Sequence, residues 1–424
     1  MYHERSMSRR LAPLRRGLDA MPSPVKDRPG VLLRDPFGYA EEVVVIPPPL
    51  VPFLRFFDGG HEEGDLAAAL HRATGELGAG DYARGLAESL ARSGFLEDDE
   101  LDRRRAVRHR AFAEAPRREA SHSGAAYPAD PTELAAVLDD CLRETGPDEA
   151  TLPDGVFALA APHVSLEGGR RSYSSAYRAL PRDASERTVV VLGTSHYGAS
   201  GRFGLTRKPY CTPLGETTVD VPLVDRLAAE GGEAAVVEDY CHAVEHAVEF
   251  QVLFLQHLLG PAARVVPILC GPFAEATVGP ERPEDDPRVE RFLGALADAA
   301  AAEGRRLLWV LGVDLAHVGR RYGDGVAAEA GRGPLRDVEE RDRRRIAAVV
   351  AGDADGFWEQ VQENGDDLRW CGASTLYTFL RATGSPRGAL LRYEQWNIDP
   401  ESVVSFGALA FGKTASERDR EKDA

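Results

Sequence analysis

The sequence predicts an α/β protein with a mixed, mostly parallel sheet, preceded by a small α+β domain of the winged-helix type. From about residue 121 onward, short runs rich in Val, Ile and Leu alternate with helical segments. Uninterrupted apolar runs of this kind are typical of strands that are covered on both faces. Residues 31–100 instead combine short apolar runs with three helical stretches, which is a winged-helix pattern. A chain of 424 residues is long enough for both domains.

The smaller domain is predicted to begin with two short strands around a turn, in VLLRDPFGYAEEVVVIP. Three helices are expected to follow, in PPPLVPFLRFFDGG, EEGDLAAALHRATG and DYARGLAESLARSGFLE, with Asp81 as the N-cap of the last. Residues 1–30 are predicted to be a flexible N-terminus. Residues 101–120 turn abruptly basic and polar, which predicts a linker or an exposed helix.

The larger domain is predicted to span residues 121–413, with a charged tail at 414–424. Its strands are expected in VFALAAPH, TVVVLGTSH, RVVPILCG, LLWVLGVDLAH, ALLRYEQW and SVVSFGALAF. Helical segments such as PTELAAVLDDCLRE and EFQVLFLQHLLG lie between them and are predicted to be crossover helices.

Composition narrows the classes of partner. The formal net charge is −17, and residues 31–100 contain 5 basic and 14 acidic residues. Nucleic-acid and anionic-membrane surfaces need clustered Lys and Arg, so we expect neither partner, and instead a small-molecule or peptide substrate. No apolar run approaches the ~18 residues of a membrane span, and the basic N-terminus lacks an apolar core, which predicts a cytoplasmic protein. Five cysteines without a CxxC disfavour a disulfide framework and a structural zinc site.

Polar side chains follow three of the predicted strands. His163 follows VFALAAP, His196 follows TVVVLGTS, and Asp314 and His317 follow LLWVLGV. The carboxyl ends of neighbouring parallel strands share one rim of a sheet, where ligands bind. A single histidine at such a position is more often structural, but three such strand ends predict a shared site.

A second pattern points to different chemistry. The stretch CHAVEHAVEFQ contains His242, Glu245 and His246 at the HxxEH spacing of a zinc peptidase. On one helix, the two histidines would share a face and Glu245 would act as the general base. The pattern is short, so a zinc peptidase remains the remote alternative.

Longer stretches resemble a known family, the MEMO family, which is component B of the AmmeMemoRadiSam system. They are SGAAYPADP, APH followed by GG and YSSAYRAL, VVVLGTSHYG, TPLGETTVD, EHAVEFQVLFLQ, VVPILCG, DLAHVG, CGASTLYTFL and SVVSFGALAF. The resemblance implies a fold like that of class III extradiol dioxygenases. It also implies one metal bound by His163, His196 and Cys371.

The resemblance implies further roles around that metal. His317 falls where the dioxygenases have a catalytic base, and Asp314, Glu245 and His246 become supporting or substrate-contacting residues. Two imidazoles and one anion resemble the arrangement by which non-haem Fe(II) binds substrate and O₂. Fe(II) is therefore expected first, and Cu or Zn are alternatives because a thiolate is a softer ligand than the carboxylate of dioxygenases. Cys371 is predicted to begin a helix, which would lower its pKa.

The N-terminal domain is similar to PqqD-like winged-helix domains, mainly through LRDPFG and LRFFDGGHEEGDLAAAL. That similarity implies a peptide partner or a radical-SAM protein partner. Two functions therefore stay open. The first is a mononuclear metal oxidoreductase in a radical-SAM-linked pathway, and the second is a non-catalytic adaptor that binds a metal or a peptide.

Overall fold

The computed structural model describes residues 9–23, 25, 27–40, 42–144, 146 and 148–412. The chain divides into two compact units, an N-terminal unit of Met1–Glu114 and a C-terminal unit of Ala115–Ala424. The predicted charged tail at 414–424 lies outside the described residues, as do residues 1–8.

The N-terminal unit contains an antiparallel sheet and three α-helices. Its strands are β1 (Asp19–Pro22), β2 (Val31–Arg34) and β3 (Val44–Ile46), in that spatial order. A 3₁₀ helix spans Pro48–Phe56, and α1 (Glu63–Thr74), α2 (Ala79–Arg92) and α3 (Asp99–Glu114) follow. Leu33, Ile46, Leu66, Leu90 and Phe95 belong to its apolar core. The strands and helices predicted for residues 31–100 are therefore present.

The ends of this unit differ from the prediction. Residues 9–30 are not a flexible segment where the structure describes them, because Leu11 and Arg15 are buried and β1 pairs with β2. The segment 101–120, predicted as a linker or an exposed helix, is mostly helix α3, in which only Leu101 and Phe112 are buried, so the second alternative agrees with the structure. The division between the units falls inside this segment, after Glu114.

Including α3 changes the charge of the unit. Residues 1–114 contain 17 basic and 19 acidic residues, so the unit is nearly neutral. Three of the five arginines of α3 are paired locally, however. Arg103 and Arg104 bind Glu100, and Arg105 binds Glu97. The expectation that the unit does not bind nucleic acid therefore rests on its near-neutral charge and on these three paired arginines, and not on an acidic surface.

Helix α2 begins earlier than predicted. Its N-cap is Gly78, and Asp81 lies in the first turn without capping a backbone N–H. The carboxylate is still favourable there, because the first turn carries the positive end of the helix dipole.

The C-terminal unit is built on a ten-stranded sheet, counted over the described residues. The strands of this unit are β4 (Ala158–Ala161), β5 (Thr188–Thr194), β6 (Phe203–Leu205), β7 (Cys211–Thr212), β8 (Gly215–Glu216), β9 (Thr218–Val219), β10 (Ala235–Val237), β11 (Arg264–Cys270), β12 (Leu307–Gly312), β13 (His317–Gly319), β14 (Arg387–Asp399) and β15 (Ser402–Gly412). The sheet order is β10-β6-β11-β5-β12-β4-β15-β13, with β14 on β15 and β9 on β11, while β7 and β8 form a separate pair. The four central strands, from β11 to β4, pair in parallel.

Helices cover both faces of this sheet. They are α4 (Pro131–Arg143), α5 (Leu166–Tyr177), α6 (Val221–Gly231), α7 (Cys241–Val244), α8 (Ala247–Leu259), α9 (Ala274–Val278), α10 (Pro287–Glu303), α11 (Leu335–Val350), α12 (Ala354–Gln362) and α13 (Ala373–Ala382). Successive β5 residues alternate between two cores: Val190 packs with α6, α10 and α13, whereas Val191 packs with α4, α5 and α8. The prediction of a mixed, mostly parallel α/β sheet covered on both faces is confirmed. Within the described ranges, no helix is both long and apolar enough to cross a bilayer.

Candidate metal centre

Three histidines meet at the carboxyl rim of the sheet. Strands β4, β12 and β5 are neighbours and parallel, so the residues that follow them share one edge. The rings of His163 and His196 lie 5.0 Å apart, and that of His246, from the start of α8, lies 5.1 Å and 5.0 Å from them. One ring nitrogen from each of the three lies within 4.8 Å of the others, and this group could hold a metal ion.

Hydrogen bonds orient each imidazole toward the common space. His163 Nδ1 lies 3.0 Å from Gly312 O, so it donates, and Nε2 keeps its lone pair. His196 Nδ1 lies 3.0 Å from Glu245 Oε1, and His246 Nδ1 lies 3.1 Å from the same oxygen. With all three Nδ1 atoms engaged, the Nε2 atoms are the ones available to a metal.

Glu245 organises two of these ligands at once. Its fully buried carboxylate accepts backbone N–H bonds from His196 at 2.8 Å and His246 at 2.8 Å, in addition to their ring contacts. Burial by itself would raise the pKa of Glu245, but the positive charge and hydrogen bonds of His196 and His246 hold it well below its usual range. Burial, together with the charges of His196 and His246, lowers the pKa of His163. His163 is therefore neutral at pH 7, as a ligand must be.

Cys371 lies against the same group. Its Sγ is 3.4 Å from His163 Nε2 and 3.5 Å from Asp314 O. Burial raises the pKa of the thiol, and a hydrogen bond with His196 offsets only part of that. The prediction of a lowered pKa is wrong, because α13 begins two residues later, at Ala373, and burial dominates.

The loop that delivers Cys371 is conformationally unusual. Asn364, Asp366 and Arg369 all have φ between 52° and 56°, a region that costs non-glycine residues about 1 kcal/mol or more each. Ion pairs hold the loop in place, from Arg345 to Asp366 and from Arg369 to Asp324. A side chain at Gly372 would meet Asp314 O at 2.7 Å, so glycine is needed for this close approach.

Asp314 and His317 complete the rim. Asp314 Oδ1 accepts the backbone N–H of His163 at 2.9 Å, and Oδ2 lies 3.5 Å from His163 Nε2. Burial raises the pKa of Asp314 and lowers that of His317 to about 4. His317 Nδ1 lies 2.9 Å from Leu315 O, so it donates there and leaves Nε2 as an acceptor.

Comparison with known proteins identifies the family. The family profile described as Memo-like protein matches residues 118–410. The chain belongs to the Memo-like family. It is 25% identical over 384 residues to a MEMO1 family protein of Aquifex aeolicus, covering 90% of this chain and 95% of that protein. It is 28% identical over 300 residues to a MEMO1 family protein of Thermococcus kodakarensis, covering 68% of this chain and 97% of that protein.

The Aquifex match is longer than the C-terminal unit, which comprises residues 115–424, so it includes part of the N-terminal unit. Among solved structures, an uncharacterized protein of Escherichia coli K12 aligns with a TM-score of 0.35 and 14% identity, covering 60% of this chain and 99% of that one. A TM-score of this size does not establish a shared fold.

The HxxEH sequence of this Memo-like chain does not form the peptidase arrangement. Helix α7 ends at Val244, Glu245 is extended, and α8 starts at Ala247, so the motif is not on one helix. His242 is buried, with Nδ1 2.7 Å from Tyr210 Oη and Nε2 3.0 Å from Gly204 O. Both of its nitrogens are engaged within the fold, which excludes a zinc-peptidase site at this motif.

His246 was predicted as a supporting residue. It instead lies among the histidines that could bind a metal.

One residue of the site was missed from the sequence. His122 lies edge-on to His246 at 5.6 Å, and its Nδ1 is 2.9 Å from the buried carboxylate of Glu249. Glu249 also pairs with buried Arg118 and accepts a hydrogen bond from Tyr127. A usable signal was Arg118, an arginine three residues before the Ser121-His122 pair, but it lies inside the segment predicted as a linker or an exposed helix.

The donor set fits a transition metal. Three imidazoles whose Nδ1 atoms are engaged elsewhere, and one thiol, offer the donors that Zn, Cu and Fe accept in proteins. The carboxylate and carbonyl that hold the Nδ1 atoms are the partners that metal-ligating histidines ordinarily have.

Proposed function

We propose that this Memo-like protein is a mononuclear non-haem metal oxidoreductase of the dioxygenase-like type. The observation that supports it best is the convergence of the Nε2 atoms of His163, His196 and His246, each with its Nδ1 held by another group. We assign the metal to His163, His196 and Cys371, with His246 as a further nitrogen donor at the same centre.

The number of donors bears on the choice of metal. Zn in structural sites is almost always four-coordinate, so four protein donors would leave it no position for substrate. Fe(II) accommodates more ligands and would keep positions open, which is why we place it first, with Cu or Zn as alternatives. When bound, the metal would supply a redox-active centre at which a substrate and O₂ can be held together.

The chain's own residues would then handle protons. His317 is neutral at pH 7, because burial lowers its pKa to about 4, and its Nε2 is free to accept a proton from a substrate. Asp314 holds the backbone of His163 and so fixes the position of that ligand. We therefore assign His317 as the base and Asp314 and Glu245 as the groups that position the ligands, whereas His246, predicted as a supporting residue, is assigned as a donor.

Elemental analysis after anaerobic purification tests this function. The intact chain should contain one metal per molecule, and His163→Ala and Cys371→Ala should each lose most of it. His257→Ala is the matched control, because His257 binds Asp139 away from the centre and its loss should leave metal content unchanged. Full occupancy in both His163→Ala and Cys371→Ala would refute the assignment.

A second candidate is an adaptor without catalysis. A groove of about 700 Å³ in the N-terminal unit is lined by four arginines, Arg92, Arg103, Arg104 and Arg108, and by two acids, Glu42 and Glu100, beside Tyr39 and Val107. The arginines outnumber the acids, and such a lining favours an acidic peptide. This fits a PqqD-like unit that recruits a peptide or a radical-SAM partner, in an AmmeMemoRadiSam-type pathway.

The two candidates are separated by binding measurements on the full chain. A glutamate-rich peptide should bind in a salt-sensitive manner and a lysine-rich peptide of equal length should not, with Arg103→Glu abolishing the difference. Equal binding of the two peptides by the unaltered chain would remove the support for the adaptor.

A further inference from the structure

Helix α11 contacts the loop that delivers Cys371 through four side chains in residues 341–345. The four pairs are Arg341 with Asp367, Asp342 with Trp370, Arg344 with Glu363, and Arg345 with Asp366. One short stretch of the helix therefore contacts the loop along most of its length, up to the residue before Cys371.

These contacts differ in burial. Asp342 is fully buried, and the side chain of Arg345 is 2% exposed. The side chains of Arg344 and Glu363 are instead 54% and 47% exposed. Exposed ion pairs contribute little, because water and salt screen them, whereas a buried charge that loses its partner is costly. Asp342 and Arg345 are therefore the residues through which α11 can hold the loop firmly.

Both buried residues act on Trp370, which directly precedes Cys371. Trp370 Nε1 donates to Asp342 Oδ1 at 2.6 Å, and the guanidinium of Arg345 lies over the indole ring, 5.3 Å from its centroid. Arg345 also donates to Asp366 Oδ1 at 2.6 Å, and Asp366 Oδ2 accepts the backbone N–H of Trp370 at 2.9 Å. The indole and the backbone of Trp370 are thus both fixed, which leaves the next residue little freedom.

Asp342 also contacts a second segment of the site. Its Oδ2 accepts a hydrogen bond from Ser405 Oγ at 2.6 Å. Ser405 Oγ in turn accepts the backbone N–H of Ala316, the residue before His317, at 2.8 Å. One buried carboxyl group therefore connects the loop of Cys371 with the strand end that carries His317.

We propose that Asp342 and Arg345 are positioning residues of the candidate centre. By fixing Trp370 they hold Cys371 Sγ at 3.4 Å from His163 Nε2. Three non-glycine residues of the loop have φ between 52° and 56°, so a loop released from α11 would relax and move the thiol away. Neither positioning residue touches the reacting atoms. The binding of a metal by the thiol rests on the proposed function, whereas the position of the thiol does not.

Alkylation of Cys371 in the chelated full chain tests the position of the thiol. Iodoacetamide labelling of each cysteine is followed by mass spectrometry. Trp370→Phe keeps a ring and removes the N–H that Asp342 accepts, while Arg345→Met keeps an apolar stem and removes the charge. Each variant should label Cys371 about tenfold faster than the unaltered chain, because the released thiol becomes accessible.

Controls separate positioning from a general loss of stability. Arg344→Met makes the same change at an exposed pair of α11 and should leave the labelling rate unchanged. Arg345→Lys keeps a charge for Asp366 and should restore most of the slow rate. Cys141, buried on α4, should react at its original rate in every variant. Equal acceleration of Cys371 and Cys141, or no acceleration of Cys371 in Trp370→Phe and Arg345→Met, would overturn the proposal.

Cobalt(II) binding separates this proposal from the proposed function. Co²⁺ bound to a thiolate gives a charge-transfer band that its histidine ligands do not give. In Trp370→Phe and Arg345→Met the three histidines remain, so the chain should retain most of its Co²⁺ while the band weakens. A band of full strength in both variants would overturn the positioning role. Faster labelling of Cys371 in variants of a chain that binds no Co²⁺ would support that role while the metal centre fails.

Discussion

The two units each bury a carboxylate beside cationic or protonatable side chains, with different consequences. In the N-terminal unit, Asp35 is fully buried, pairs with Arg15, and accepts the backbone N–H groups of Phe37 and Ala40. In the C-terminal unit, Glu245 is equally buried, but its partners His196 and His246 each keep a second nitrogen directed at a common space.

The contrast shows what distinguishes a site from a structural ion pair. A guanidinium has donors only, so the Arg15–Asp35 pair is completed within the fold and has no lone pair to offer a ligand. An imidazole held through Nδ1 still has a lone pair on Nε2. Both units bury a charged carboxylate. Only in the C-terminal unit do the partners of that carboxylate keep nitrogen atoms that can bind a metal.

The largest expected effect comes from breaking the pair in the N-terminal unit. Asp35→Ala leaves Arg15 buried without its partner, which should destabilise that unit by about 3–5 kcal/mol. Asp19→Ala removes an exposed pair with Arg34 and should cost less than about 1 kcal/mol. Denaturant unfolding measures both, and metal content should be unchanged in each. A loss of metal in Asp35→Ala would contradict the claim that the Arg15–Asp35 pair has only a structural role.

Glu245→Gln should act in the opposite way. The chain should stay folded while metal affinity falls about 10- to 100-fold, because the carboxylate that orients His196 and His246 is lost. Metal titration measures the change, with the exposed Glu290→Gln on α10 as the control. An affinity equal to that of the unaltered chain would mean that Glu245 does not position the ligands.

Acid should weaken the N-terminal pair. Burial would raise the pKa of Asp35, but the hydrogen bonds from Arg15 and Ala40 and the charge of Arg15 lower it below its usual 3.8. A lowered pKa means that the pair's contribution is complete above pH 3.8 and is lost as the pH falls through the folded-state value. The stability difference between the unaltered chain and Asp35→Asn should therefore shrink below pH 3.8. A difference independent of pH in unfolding experiments from pH 2 to 6 would contradict this.

The smallest expected effect is on metal content in His317→Ala. His317 is assigned to protons and not to the metal, so occupancy should stay within error of the unaltered chain, while any turnover found should be lost. Elemental analysis and an activity assay on the same sample measure both quantities. Metal loss comparable to that in His163→Ala would move His317 into the ligand set.

A large part of the fold and of the site could be predicted from local sequence patterns. The apolar runs predicted the central strands, because a residue buried on either face of a sheet must be apolar wherever it points. The same logic predicted that His163, His196 and Asp314 would meet, since parallel neighbours end at one rim. These inferences need only the order of residues along each strand.

Other features depended on contacts between distant segments. The HxxEH spacing predicts a helix, yet the bonds of Glu245 to His196 hold it extended and place His246 in the centre. Helix α8 can approach the strand ends because Gly312 has no side chain, as a Cβ there would lie 2.3 Å from Ala247 O. His122 lies at the site because its Nδ1 contacts the carboxylate of Glu249, a residue 127 positions away.

The sequence by itself determined the α/β class, the central strands and the strand-end histidines. These follow from local periodicity and from the burial of apolar side chains away from water. The tertiary structure alone decided which nitrogen of each imidazole is engaged, the inclusion of His246 in the site and, within the described residues, a Trp358 N–H that has no hydrogen-bond partner. Each of these depends on which atoms meet across the fold, and hydrogen-bond geometry over a few ångströms cannot be read from spacing along the chain.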